Sequence, residues 1–314
     1  MKYMIDTDIG DDIDDAVALL AAMNRGLDIV GITTTFRNTA QRARMTKKLL
    51  KFFGNDYENV PVYAGFPHSE PNGARDDEDL CQYTEDLGSP EYAPDSTDPD
   101  AAVDFIIDAC RRWGKELTVI ALGPFCNIAK VIEKDPAALD LAAKVVIMGG
   151  AFYKQYADWN VMCDVSAADV MFRSLSNLEC MGADVTHRLA IQKELSDHLE
   201  FGDHSNPAVQ YISRMYRLWH AVNPTLQLLP HDVLVVYYAM DPTVCTMERI
   251  HTAVLTEGYA RGLTLNVDAY AKAQLNAGAY EGFDFGHTLL AARDVDLPKF
   301  HALFTADLTG SVLN

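Results

Sequence analysis

Six aspartates fall within ten residues near the start of the chain, at Asp6, Asp8, Asp11, Asp12, Asp14 and Asp15, with Gly10 among them. So many like charges on one short segment repel one another unless a cation sits among them. Carboxylate oxygens in such number suit a hard divalent ion. A plainer role competes, because aspartates at the start of a helix cap its free N–H groups and complement its dipole. That role accounts for one or two of the six, but not for all of them. An EF-hand is excluded: its loop needs an oxygen ligand at the fifth position and Gly at the sixth, whereas counting from Asp6 gives Gly10 and then Asp11.

The elements that must position this cluster are legible as alternating periods. Tyr3 to Ile5, Ile29 to Thr35, Val60 to Tyr63, Leu117 to Leu122 and Val145 to Met148 are short apolar runs of strand type. Longer segments of helical period separate them, such as Ala16 to Met23 and the stretch from Thr39 to a stop at Gly54. This alternation predicts an α/β fold with a mostly parallel central sheet and helices on both faces. The first run leads straight into the aspartates, which places them at the carboxyl end of a strand, where open α/β sheets bind ligands. Residues 67–100 are rich in Pro, Gly, Asp, Glu and Ser and lack periodicity, so they read as a long excursion. A second excursion is expected near 196–230, where Tyr211, Tyr216 and Trp219 interrupt a polar, helix-like run. The chain, 1–314, is read as a single catalytic domain.

Composition narrows the partners. Apolar residues make up 49% and charged residues 23%, enough for a buried core. A formal charge of -19 leaves no excess of Lys and Arg to displace phosphate counterions, which argues against a nucleic-acid partner. A small neutral or cationic molecule fits that charge. The six cysteines are widely spaced without a CxxC pair or a zinc pattern, so they read as buried free thiols. No signal core and no long apolar run is present, which predicts no membrane association and a cytoplasmic location.

Further motifs follow the cluster in order: GITTTFRN ending at Asn38, ALGPFCN ending at Asn127, MGGAF from Met148, ADWN ending at Asn160, ADVTH ending at His187, and PHD at 230–232. Together with DTDIGDDIDDA at 6–16, this series resembles the nucleoside hydrolases in order and rough spacing over at least residues 3–235. The resemblance implies Ca²⁺-dependent hydrolysis of the N-glycosidic bond of a ribonucleoside, giving ribose and free base. It implies that Asp8, Asp15, Asp232 and the main-chain carbonyl of Leu122 hold the Ca²⁺, and that Asp8 is also the base that takes a proton from the attacking water. Asp14, Asn38, Asp158 and Asn160 would meet the ribose, with Met148 lining the floor, and His231 would reach toward the leaving base. Homodimers or homotetramers are typical of such enzymes.

The chemistry is coherent on its own terms. Cleaving an N-glycosidic bond builds positive charge on the ribose, and a site left net negative stabilises that state. Asn and Asp supply the mixed donors and acceptors that sugar hydroxyls need. Two departures from the family pattern stand out: the first loop is two residues longer, with Ile9 in place of Pro, and Asp158 stands where Glu is usual. Asp11 or Asp12 is therefore an alternative to Asp14 in the sugar or metal shell, and the base preference is open. Plainer roles are available to Asn38 and Asn127, each of which can start the helix that follows. Two other readings compete: a Ca²⁺-dependent ribosyl-binding protein with little turnover, and a haloacid dehalogenase-type phosphatase. The latter needs a later Lys and a second acidic pair for which the chain offers no convincing match.

Overall fold

A computed structural model describes residues 1–69, 76–268 and 287–309. All the described strands join one sheet in the order β3-β2-β1-β4-β5-β6-β9-β7-β8. Strands β1 (Lys2–Thr7), β2 (Asp28–Thr34), β3 (Val62–Ala64), β4 (Leu117–Ala121), β5 (Lys144–Met148) and β6 (Leu178–Met181) run parallel, and β9 (His287–Val295) joins β6 in parallel. At one edge β7 (Cys245–Val254) pairs antiparallel with both β9 and β8 (Thr264–Asn266).

The period of two along each strand divides the core between two faces. Tyr3 and Ile5 of β1, Ile120 of β4 and Val146 of β5 pack on one side with α1 (Asp14–Asn24), α2 (Thr39–Phe53), α10 (Pro207–Val222) and α11 (His231–Met240). Met4, Val119, Val145 and Ile147 pack on the other side with α3 (Pro99–Trp113), α4 (Cys126–Lys134) and α7 (Val165–Ser174). Continuously apolar strands are what a sheet covered on both faces requires. The expected architecture and the five expected strands are therefore present. The strands the sequence reading did not identify are β6 to β9. In β7, Glu248, Arg249 and His251 interrupt the apolar residues, and Glu248 and Arg249 face partly outward at the antiparallel end of the sheet.

Helix α2 starts at Thr39, but its capping residue is Asn38, whose Oδ1 accepts from the Gln41 N–H at 3.2 Å. The first excursion contains single turns at Glu85–Gly88 and Pro90–Tyr92 before α3 begins. The second is two helices, α9 (Lys193–Phe201) and α10. Among the cysteines, four are buried, but Cys81 is exposed and Cys163 is half-buried, which corrects the expectation for those two. Among the described residues, no helix is long and apolar enough to cross a membrane.

Candidate active site

Parallel strands end on one side of the sheet, and the order reverses beside β1, with β2 and β3 to one side and β4 to β6 to the other. The loops leaving β1 and β4 must part there, which opens a crevice. Asp8 follows β1 directly, Leu122 follows β4, and Met148 ends β5. Between Asp8 and α1 the lengthened loop turns at Gly10, whose φ is 115°. A Cβ at Gly10 would lie 2.9 Å from Leu80 Cδ1 and 3.0 Å from Met45 Cε, so glycine lets the loop sit down on α2 and the first excursion.

The loop delivers Asp14 and Asp15 to the first turn of α1, and α11 delivers Asp232 to its own first turn. These two helices pack together, and the Asp232 N–H donates to Asp14 Oδ2 at 3.2 Å. One carboxylate oxygen from each of Asp14, Asp15 and Asp232 lies within 4.8 Å of the others. Three carboxylate oxygens that close together can share one divalent cation. Thr7 Oγ1 donates to Asp15 from the end of β1. All three are buried, as is Asp8.

Burial drives the electrostatics. It pushes Asp8, Asp14 and Asp232 well above the usual carboxylate range, and neighbouring carboxylates add to the rise in each case. Asp12 and Asp15 are pushed up to about 6, again chiefly by burial. A buried group of carboxylates takes up either protons or a cation. The donors here are carboxylate oxygens, with Leu122 lining the same cavity, and an oxygen-only set of this kind fits a hard divalent cation.

The remaining expected residues divide. Asn160 is buried in α6 (Trp159–Cys163), and its Nδ2 donates to the carbonyls of Leu122 at 2.5 Å and Met148 at 3.1 Å. Asp158 caps α6, with Oδ1 accepting from the Val161 N–H at 3.0 Å, and burial raises it to about 6. Nδ1 of His231 lies 2.6 Å from the Thr186 hydroxyl, and burial, with His187 nearby, lowers the imidazole to about 4. Asp8, Asp14, Asp15, Leu122, Met148, Asp158, Asn160, His231 and Asp232 all line one cavity of about 510 Å³. Asn38 does not. Its Oδ1 is used by the cap and its Nδ2 donates to the Glu78 carbonyl at 3.3 Å, while its neighbour Arg37 lines the cavity instead. Asn127 does not cap α4 either. It is buried beneath the site, donating to Asp6 Oδ1 at 2.8 Å and accepting from the Phe66 N–H at 2.7 Å. The ADVT residues after β6 form a short helix.

Several cavity residues were not foreseen. Arg37 is the one Lys or Arg among the described residues that line it. Tyr156 and Trp159 stand exposed at its edge, while Trp219, at the end of α10, is buried. His187, within ADVTH, packs edge-on against Tyr156 and His231, with ring centroids 4.6 and 5.4 Å away. The available signal for Trp219 was the aromatic interruption of the 196–230 segment. For Arg37 and Tyr156 no local signal separates a cavity residue from an ordinary loop residue.

Comparison with known proteins agrees with this geometry. A family model described as inosine-uridine preferring nucleoside hydrolase matches residues 3–302. Uridine nucleosidase 1 of Arabidopsis thaliana is 30% identical over 276 residues, covering 84% of this chain and 81% of that protein. A plant nucleoside hydrolase structure superposes with a TM-score of 0.81 at 26% identity, covering 99% of both chains. A purine-preferring ribonucleoside hydrolase from Gardnerella vaginalis superposes with a TM-score of 0.76 at 27% identity, covering 99% of this chain and 98% of that one. With a matching model over nearly the whole length and the cavity at the carboxyl end of the parallel strands, the chain belongs to the inosine-uridine preferring nucleoside hydrolase family, whose reaction is hydrolysis of the ribonucleoside N-glycosidic bond.

Proposed function

We propose that this enzyme is a Ca²⁺-dependent ribonucleoside hydrolase that works as a single catalytic domain spanning 1–314. The observation that carries the reading is the meeting of Asp14, Asp15 and Asp232 in one cavity that Asp8, Asp158 and Asn160 also line. Asp8, Asp15, Asp232 and the Leu122 carbonyl would hold the ion. A carbonyl oxygen has two lone pairs, so Leu122 can accept from Asn160 and still face a cation. A cation held there would offset the charge of the carboxylates and would supply Lewis acidity toward the attacking water.

The chain's own groups do the rest. Asp8, next to the carboxylate cluster, takes the proton from water. Asp14, Asp158 and Asn160 bind the ribose hydroxyls, with Met148 against the sugar, and the negative wall favours the positive charge that builds on the ring. Asn38 belongs behind this layer, holding the start of α2. In the tautomer whose Nδ1 accepts from the Thr186 hydroxyl, His231 carries its proton on Nε2 and offers it as a hydrogen bond to the departing base. Tyr156, Trp159, Trp219 and His187 supply flat apolar surface for that base. The enzyme acts on free nucleosides rather than nucleic acid, in the cytoplasm, as a homodimer or homotetramer.

Incubation with a panel of purine, pyrimidine and modified nucleosides tests the assignment, read as free ribose. Water attacks the face opposite the leaving base, so NMR at early times should show α-ribose first. Binding without ribose release on every nucleoside would favour a ribosyl-binding protein, and β-ribose first would point to a carboxylate nucleophile.

The sugar side should also discriminate against phosphate. A 5′-monophosphate carries close to two negative charges, and bringing it beside the buried Asp158 is unfavourable at lowered dielectric. We expect kcat/KM for a cleaved nucleoside to exceed that for its 5′-monophosphate by about 10²-fold, the size of a desolvated like-charge contact of a few kcal/mol. Equal use of both substrates would remove Asp158 from the ribose.

A further inference from the structure

We propose that Arg42 is a positioning residue that sets the place of Asp8, and with it the cation and base site, by clamping two cavity loops together. The proposal rests on the function assigned above. Arg42 lies on α2 and is fully buried, although it carries a guanidinium charge. Its place among Thr39, Ala43, Thr46 and Leu49 is on the inward stripe of the helix, where a charge is costly unless it is fully paired.

The pairing goes entirely to the site. Nε donates to the Phe36 carbonyl at 2.7 Å, Nη1 donates to the carbonyls of Asp8 and of Ile9 (3.0 Å for the latter), and Nη2 donates to Asp11 Oδ2 at 2.9 Å. One planar fork thus holds three backbone carbonyls and a carboxylate in two segments. The first segment carries Asp8. The second is the β2–α2 turn, where Phe36 and Arg37 both adopt left-handed φ of 67° and 53°, a conformation that non-glycine residues keep only when surrounding contacts impose it. The Asp8 carboxylate is confined on its far side as well, because a Cβ at Gly123 would lie 2.6 Å from its Oδ1. With its carbonyl tied to Arg42 and its carboxylate against Gly123, Asp8 has one orientation toward the cavity.

The same fork assigns Asp11. Its carboxylate is the counter-charge of Arg42, with Arg37 3.8 Å away, so it anchors the loop rather than serving the ion. Gln82 holds the next residue, its Nε2 donating to the Asp12 carbonyl at 2.8 Å. The lengthened loop is therefore fastened at both shoulders.

Lysine at this position keeps the charge opposite Asp11 but cannot reach three carbonyls in separate directions. Arg42→Lys and Arg42→Gln should be compared with wild type for Ca²⁺ affinity by calorimetry, for kcat and KM on a nucleoside the wild type cleaves, and for melting temperature. Loss of such an outer hydrogen bond typically weakens metal affinity or activity by roughly 10- to 100-fold. We expect Arg42→Lys to remain folded at 15 °C, to bind Ca²⁺ more weakly by that factor, and to lose kcat with a smaller change in KM. Wild-type affinity and kcat in Arg42→Lys would overturn the proposal, whatever happens to its melting temperature. An Arg42→Lys protein that does not fold would also overturn it, by making the residue a requirement of the fold alone. Wild type that binds Ca²⁺ yet cleaves no nucleoside would sink the functional reading while the calorimetric comparison still decides the role of Arg42. Wild type that binds no divalent cation would overturn both.

Discussion

Replacing Asp8 by Asn is expected to lower kcat for nucleoside cleavage by about 10³-fold, within the range that a general base contributes, while the protein stays folded. The two side chains have the same shape, and shape is what the tight packing against Gly123 demands. The backbone of residue 8 is unaffected, since Arg42 holds its carbonyl and not its carboxylate. Two functions are lost together: the amide cannot take a proton from water, and one anionic oxygen facing the cation becomes neutral. Removing one of several buried like charges also relieves repulsion with Asp15 and Asp11, so the cation-free variant should melt no lower than cation-free wild type. Ribose release at saturating substrate measures kcat, and differential scanning calorimetry in chelator measures stability. A variant with undiminished turnover would remove Asp8 from the mechanism.

Chelated wild-type protein should lose stability as pH rises, and Ca²⁺ should restore more stability at pH 8 than at pH 5.5. The sign follows from the direction of the shifts. Folding raises Asp15 to about 6 and raises Asp8, Asp14 and Asp232 well above the usual range, chiefly by burial. The folded state therefore binds more protons than the unfolded chain, and stability falls with pH wherever that is so. The contribution is complete below the unfolded value, about 3.9, and is lost as pH climbs through about 6 and beyond. A cation replaces those protons, and it competes with them less at higher pH. At 1,000 times its dissociation constant a ligand stabilises by about 4 kcal/mol, which for a protein of this size corresponds to roughly 5 °C or more. Thermal melts with chelator and with excess Ca²⁺ at the two pH values give the comparison. A shift that is absent, or larger at pH 5.5, would count against a cation among these carboxylates.

Most of the fold and the chemical type of the site follow from local sequence. Apolar runs such as Leu117 to Leu122 declare a strand buried on both faces because hydrophobic burial acts on each residue as it alternates across the sheet. The switch to helical spacing between such runs declares the crossovers, and the aspartates after the first run declare a site that needs a counter-charge. The order of later motifs, through PHD at 230–232, points to the reaction. Strands β6 to β9 were less legible, since half-exposed polar residues in β7 blur the alternation on which such a reading depends.

Which residues meet was a tertiary question. Asp14 and Asp232 are 218 positions apart and touch only because α1 packs along α11, a contact made by apolar residues that carry no mark of the chemistry they bring together. Asn38 and Asn127 looked equivalent in sequence, each preceding a helix. The structure caps α2 with Asn38 and buries Asn127 under β1, because only the fold determines which donor groups lack a partner. Arg42 was the least visible, although it sits in the buried stripe of a helix where a charge is costly. The carbonyls of Asp8, Ile9 and Phe36 that offset its burial come from other segments. A sequence determines by itself what each residue can bury and what each must pair with, since both are properties of single side chains and short repeats. The choice among possible partners is made when the chain closes, because hydrogen bonds and charge interactions act over a few ångströms and depend on distances that only the packed sheet and helices set.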